Sequence, residues 1–100
     1  MNQYDQRQYI LMRQCLEGFE SGNVKINVLI NSLRGLIDVL EEPEKEWKTS
    51  FSRAWWVLEE IYSITSARGE THFSEANQKE IWQAVDQMKN MLNAVIIGSK

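Results

Sequence analysis

Few residues of this 100-residue chain are of types that could do chemistry: one histidine (His72), one cysteine (Cys15) and 14 acidic side chains. Protein metal sites gather His, Cys or carboxylates at fixed spacing, which a single His and a single Cys cannot supply. The Glu-x-x-His pairs that hold two metals inside helix bundles are missing too. So are the glycine-rich phosphate cradles, of either the G-x-G-x-x-G or the Walker type. Nucleophilic catalysis would leave His72 as the base, with Glu70 as its nearest carboxylate. Both fall in a stretch, 69–73, that reads as a connecting loop, where an exposed histidine is the ordinary outcome. Cys15 sits among Leu11, Met12, Leu16 and Phe19, company that buries a thiol, raises its pKa and leaves it inert. The expectation is therefore no catalytic residue, no metal and no cofactor: a protein that is not an enzyme.

Two other features stand out by placement. The first is the acidic run Asp38, Glu41, Glu42, Glu44 and Glu46. Residues 38–70 carry eight acids against four bases, while the whole chain has a net charge of -3. The second is Trp56. With about 100° per residue along the surrounding helical pattern, Trp56 points roughly 180° from that helix's apolar stripe. It falls among Lys45, Thr49, Ser52, Arg53, Glu60 and Ser63, with Glu59 beside it. Val57 and Ile64 add a smaller apolar flank. Either the first helix crosses behind the third and covers Trp56, or Trp56 is an exposed anchor of the kind enriched at interface hot spots.

The elements that must position these residues are helices. Four segments repeat apolar residues at three- and four-residue spacing, and none alternates as a strand would. They are expected near 4–20, 27–41, 43–68 and 75–97. In the first, Met12, Cys15, Leu16 and Phe19 form the stripe, flanked by Tyr9, and Ser21-Gly22-Asn23 stops it. The second carries Ile26, Leu29, Ile30, Leu33, Leu36, Ile37 and Leu40, with Asn27 as a candidate cap. Pro43 excludes the α region at Glu42 and suits the first turn of the third helix. That helix lines up Trp47, Phe51, Ala54, Trp55, Leu58, Ile61 and Tyr62. Ser74 caps the fourth, whose inner face reads Ile81, Trp82, Val85, Met88, Leu92, Val95 and Ile96 before Gly98 closes it. Short connections between long helices make neighbours antiparallel. The fold expected is all-α, a single-domain antiparallel four-helix bundle. On these boundaries Asp38, Glu41 and Glu42 occupy the last turn of the second helix, the end that prefers cations. Glu44 and Glu46 occupy the first turn of the third, where negative charge suits the dipole.

Composition narrows the function classes further. At 11.7 kDa, 43% hydrophobic and 25% charged, the chain can bury one core without disulfides, and a lone cysteine allows none within it. No apolar run nears the ~20 residues of a membrane span. The opening residues are polar and of mixed charge, unlike a secretory or transit signal. A cytoplasmic address with no membrane partner follows as the expectation. An isoelectric point near 5.1 and the lack of a basic stripe argue against nucleic acid, whose binding rests on releasing counterions from phosphates. An acidic surface would attract a basic protein.

The stretch Leu33-Arg34-Gly35-Leu36-Ile37-Asp38-Val39-Leu40, followed by Trp47-Lys48-Thr49-Ser50-Phe51-Ser52-Arg53-Ala54-Trp55-Trp56-Val57-Leu58-Glu59-Glu60-Ile61-Tyr62, resembles small all-helical bacterial immunity proteins. Those accompany polymorphic or contact-dependent growth inhibition toxins, and the resemblance spans about residues 24–68. Most of its matching positions are core positions. The helical immunity proteins of DNase bacteriocins are similar in size, helicity and acidity, but their paired tyrosines in a short third helix are absent here. The resemblance implies a non-enzymatic protein that binds and blocks a cognate, basic, nuclease-like toxin domain. Its partner-binding surface would be Asp38, Glu41, Glu42, Glu44, Glu46, Trp56, Glu59 and Glu60. The alternative is a homodimeric structural or adaptor protein that pairs through Trp56, Val57 and Ile64.

Overall fold

A computed structural model describes residues 3–69 and 72–96. Four helices follow one another, α1 (Gln3–Glu20), α2 (Ile26–Asp38), α3 (Lys45–Ala67) and α4 (Glu75–Val95), and no strand occurs among the described residues. Each helix packs closely on the next, and α4 closes back on α1, whereas the α1 and α3 backbones stand apart, as do those of α2 and α4. Side chains bridge the first diagonal, where Tyr9 meets Trp47 edge-on with ring centroids 5.0 Å apart. The helices therefore stand at the corners of a square, with α1 diagonal to α3. Hydrogen bonds between distant residues set the directions. The Gln6 amide donates to the Val95 carbonyl, and the Trp47 indole to the Met91 carbonyl, at one end of the bundle. Phe19 meets Trp82 toward the other end, ring centroids 5.3 Å apart. The chain is an antiparallel four-helix bundle.

The apolar stripes meet on the central axis, where Met12, Leu16, Leu29, Leu33, Phe51, Leu58, Val85, Met88 and Leu92 have no solvent exposure. Large rings at the edge of the core keep their polar atoms satisfied. The buried Trp55 indole donates to the Ile30 carbonyl at 2.8 Å, and Trp47 stacks on Phe51 with centroids 4.7 Å apart. Indole N–H groups bonded to helix carbonyls avoid the penalty of an unmet buried donor.

Several boundaries and placements differ from the sequence-based expectation, each for a local reason. α2 ends at Asp38, because Val39 and Leu40 close its last turn by bonding back to Gly35 and Ile37. Glu41 and Glu42 consequently lie in the loop, outside the last turn of α2. α3 starts at Lys45, so Pro43 precedes the helix and Glu44 takes the N-cap position, leaving Glu46 as the acid of its first turn. Lys25, not Asn27, precedes the first turn of α2, and its side chain makes no capping bond. Ser74 caps α4 as expected, accepting from the Asn77 amide at 3.1 Å. Trp82 is 46% exposed and leaves the core, since it lies about 100° from Ile81 on the edge of the stripe. Its ring covers Phe19 instead of filling the centre. Cys15 is half-buried against the core; burial pushes its thiol up, and a hydrogen bond with Ser32 partly offsets this. Gly98 and Glu70 lie outside the described residues.

Candidate partner-binding surface

α3 offers its outer corner to solvent because its two flanks are taken by α2 and α4 and α1 stands diagonally across. Among the described residues none packs over Trp56, which is 57% exposed, the largest exposure of any big apolar side chain described. The arrangement in which α1 covers this residue is overturned by the order of the four corners. The indole leans toward Trp55, ring centroids 6.2 Å apart. Trp55 in turn carries the Arg34 guanidinium 5.7 Å from its ring centroid, on the side facing α2.

A shallow depression of about 500 Å³ runs beside Trp56, lined by Lys48, Thr49, Ser52 and Arg53. It continues toward the start of α3 as a second hollow of about 470 Å³ bounded by Lys45, Glu46, Thr49, Ser50 and Arg53. The immediate surroundings of Trp56 on that side are thus cationic and hydroxylated. One turn further on come Glu59, whose carboxylate accepts from the Ser63 hydroxyl at 3.5 Å, and the exposed Glu60.

The other acids gather at the α2–α3 corner. Asp38 is exposed and pairs with Arg34 at 4.0 Å. Glu41 and Glu42 project from a loop held in place by Asp5, a residue of the first turn of α1 that is only 2% exposed. The two Asp5 carboxylate oxygens accept the Glu41 amide at 2.8 Å and the Glu42 amide at 2.7 Å. One buried carboxylate therefore carries the backbone of the acidic corner. Burial, with the nearby Asp5 charge as a second cause, pushes the Tyr9 hydroxyl above its ordinary range. Glu44 and Glu46 continue the corner into α3.

Trp56 lies twelve positions after Glu44, about 18 Å at 1.5 Å per residue. The residues expected to bind a partner accordingly form two groups. Asp38, Glu41, Glu42, Glu44 and Glu46 lie at one end, Trp56, Glu59 and Glu60 at mid-helix, with Lys48 and Arg53 between them. A standard interface of about 800 Å² per partner spans both groups. Sequence reasoning passed over Asp5, whose place near a helix N-terminus reads as an ordinary dipole-favoured acid. It also passed over the cationic character of the groove, although Lys45 and Arg53 were visible on the face of Trp56.

Among the described residues no group of three or more His, Cys, Asp or Glu is placed to hold a metal ion. His72 is exposed at the rim of a separate hollow of about 250 Å³, lined by Phe19, Phe73, Gln78, Ile81 and Trp82. Among the described helices, none is long and apolar enough to cross a membrane. Comparison with known proteins finds no match to a family model, a curated protein or a solved structure.

Proposed function

We propose that this chain is a non-enzymatic protein-binding module of the immunity type, which binds a toxin domain and blocks it. The observation that carries this reading is the exposure of Trp56 on a helix corner that no other described residue covers. A large, rigid indole surrounded by hydroxyl and charged groups is the composition of an interface hot spot inside a polar rim. The acids of the α2–α3 corner, with Glu59 and Glu60 beyond the indole, favour a partner with a basic surface, such as a nuclease-like domain. Lys48 and Arg53 require that partner to place acceptors opposite the groove. Charge of this kind acts mainly on the association rate and on the choice of partner, and the indole on the lifetime of the complex.

The test is a pull-down with tagged wild-type chain, Trp56→Ala and a Glu41→Lys/Glu42→Lys double variant, followed by co-expression with whatever toxin is retained. The expected result is one stoichiometric basic partner that wild type retains and neutralises and that both variants lose. A partner held equally well by all three proteins would remove the surface assignment. Recovery of the chain alone, with Trp56→Glu dissolving an assembly, would favour self-pairing through Trp56, Val57 and Ile64.

A further inference from the structure

Away from the α3 corner, four of the large exposed apolar side chains, Tyr4, Leu11, Val28 and Val39, share the outer face of the α1–α2 pair. Helical spacing accounts for this. On α1 the positions Tyr4, Gln8, Leu11, Cys15 and Gly18 alternate steps of four and three, and so do Lys25, Val28, Ser32, Gly35 and Val39 at α2. Such a rhythm keeps one seam of a helix facing one direction. The two seams lie side by side, because α1 and α2 pack on each other, with Gly18 against Val24 and Asp5 accepting the Glu41 and Glu42 amides. Neither seam contains an acid.

Two details point to what covers this face. Gly35 lies inside α2 and is exposed, and nothing stands within 4 Å of where its Cβ would be. Glycine is disfavoured inside a helix relative to alanine, and no contact among the described residues requires it here. Close approach of another backbone would. The charges at the two ends of the face are also opposite. Lys25 lies at the start of α2, Glu41 and Glu42 beyond its end, and Asp5 draws that loop toward the α1 side, the side on which Lys25 also sits.

We propose that this face pairs with the same face of a second copy of the chain, about a two-fold axis perpendicular to α2 at the level of Leu33 and Arg34. That operation sets Val28 opposite Val39 of the second copy, Ser32 opposite its Gly35 and Lys25 opposite its Glu42. Leu11 comes level with the second copy's Cys15. Apolar meets apolar, small meets small and cation meets anion, so the seam is complementary to itself under the symmetry that closes a dimer. The face extends about 20 Å along α2 and two helix diameters across, roughly 400 Å² per partner in projection against about 600–1,000 Å² for stable specific interfaces, so the pairing proposed is a weak one. It leaves Trp56, Glu59 and Glu60 open but takes up Glu42, a member of the acidic corner assigned above, so the pairing is read on the chain alone with no other protein present.

Sedimentation velocity on the full chain, from roughly 5 to 500 µM, reads the pairing directly. Wild type is expected to pass from monomer to dimer across this range. Gly35→Leu, a good helix former at an exposed position, is expected to keep its helical circular dichroism and weaken dimerisation about tenfold or more. Lys25→Glu and Glu42→Lys are each expected to weaken it, and the double exchange to restore it to within about threefold of wild type. A wild-type monomer at the top of the range overturns the proposal. A dimer that survives Gly35→Leu and both charge changes, or that only Trp56→Glu dissolves, overturns it as well. Should Gly35→Leu lose its helical signal, the charge exchange decides alone.

Discussion

Asp5 allows the sharpest test of how the acidic corner is built. Its carboxylate is 2% exposed and accepts two backbone amides at 2.8 and 2.7 Å, joining the start of α1 to the loop between α2 and α3. Hydrogen bonds to an ionised acceptor contribute about 1.5–3 kcal/mol each. Glu41 and Glu42 are exposed, so water can reach their freed amides and the loss falls toward the lower end. Asp5→Ala should then cost about 3 kcal/mol. Asp5→Asn keeps one acceptor oxygen but turns an NH2 group toward the second amide, and should cost about 2 kcal/mol. For a domain of this size each kcal/mol lowers Tm by about 4–8 °C, so Asp5→Ala should melt more than 10 °C below wild type. Urea unfolding followed by tryptophan fluorescence measures the loss. Glu46→Gln is the control: it removes an exposed first-turn acid whose dipole interaction is worth about 0.3–1 kcal/mol. Hydrogen exchange adds a local readout, in which the Glu41 and Glu42 amides are protected in wild type and exchange freely in Asp5→Ala. A loss below about 1 kcal/mol, equal to that of Glu46→Gln, would show that Asp5 acts only on the helix dipole and would refute the clamp.

Other measurements probe separate parts of the fold. Gly35→Ala should stabilise the isolated monomer by about 1 kcal/mol, as expected for an exposed helix interior with room for a Cβ; chemical unfolding at low concentration reads it. Gly18→Ala should go the other way, by about 1 kcal/mol, since the new Cβ would stand 2.7 Å from Val24 Cγ2 in the turn that closes α1. Trp56→Ala should change the stability of the free chain by less than about 0.5 kcal/mol while weakening partner binding by about 2 kcal/mol or more, measured by calorimetry. Stability should also fall at alkaline pH. Cys15, Tyr9 and Lys89 all have raised folded-state pKa values, the first two through burial and Lys89 through its hydrogen bond to Glu20. In each case the unfolded chain loses its proton first, so stability holds below about pH 8.5 and declines as pH rises through roughly 8.5–10.5 and beyond. Tyr9→Phe should flatten the part of that decline near and above pH 10, and an unchanged melting profile would contradict the assignment to Tyr9.

Helical period is a local property, and most of what depends on it could be read from the chain alone. The four helices, the Ser74 cap and the stripe from Phe51 through Ala54, Trp55 and Leu58 to Ile61 follow from spacing, because an apolar face must find cover wherever its helix lies. Spacing could not place residues at the edge of a stripe. Trp82 and Trp55 stand at similar angles on their helices, yet Trp55 is buried because α2 lays the Ile30 carbonyl against its indole, and Trp82 stays half in water over Phe19. The course of the chain after α2 was also beyond local reading, since the Glu41 and Glu42 amides are taken by a carboxylate 36 and 37 residues earlier in the chain. The candidate site divides in the same way. That Trp56 faces away from its own helix's stripe is a matter of helical angle and is written in the sequence. Whether anything covers it depends on which corner of the square α1 occupies, and that is decided by how four amphipathic helices share one core. With α1 diagonal to α3, the indole remains in solvent, and Glu44 at the head of the same helix stands about 18 Å away along its axis.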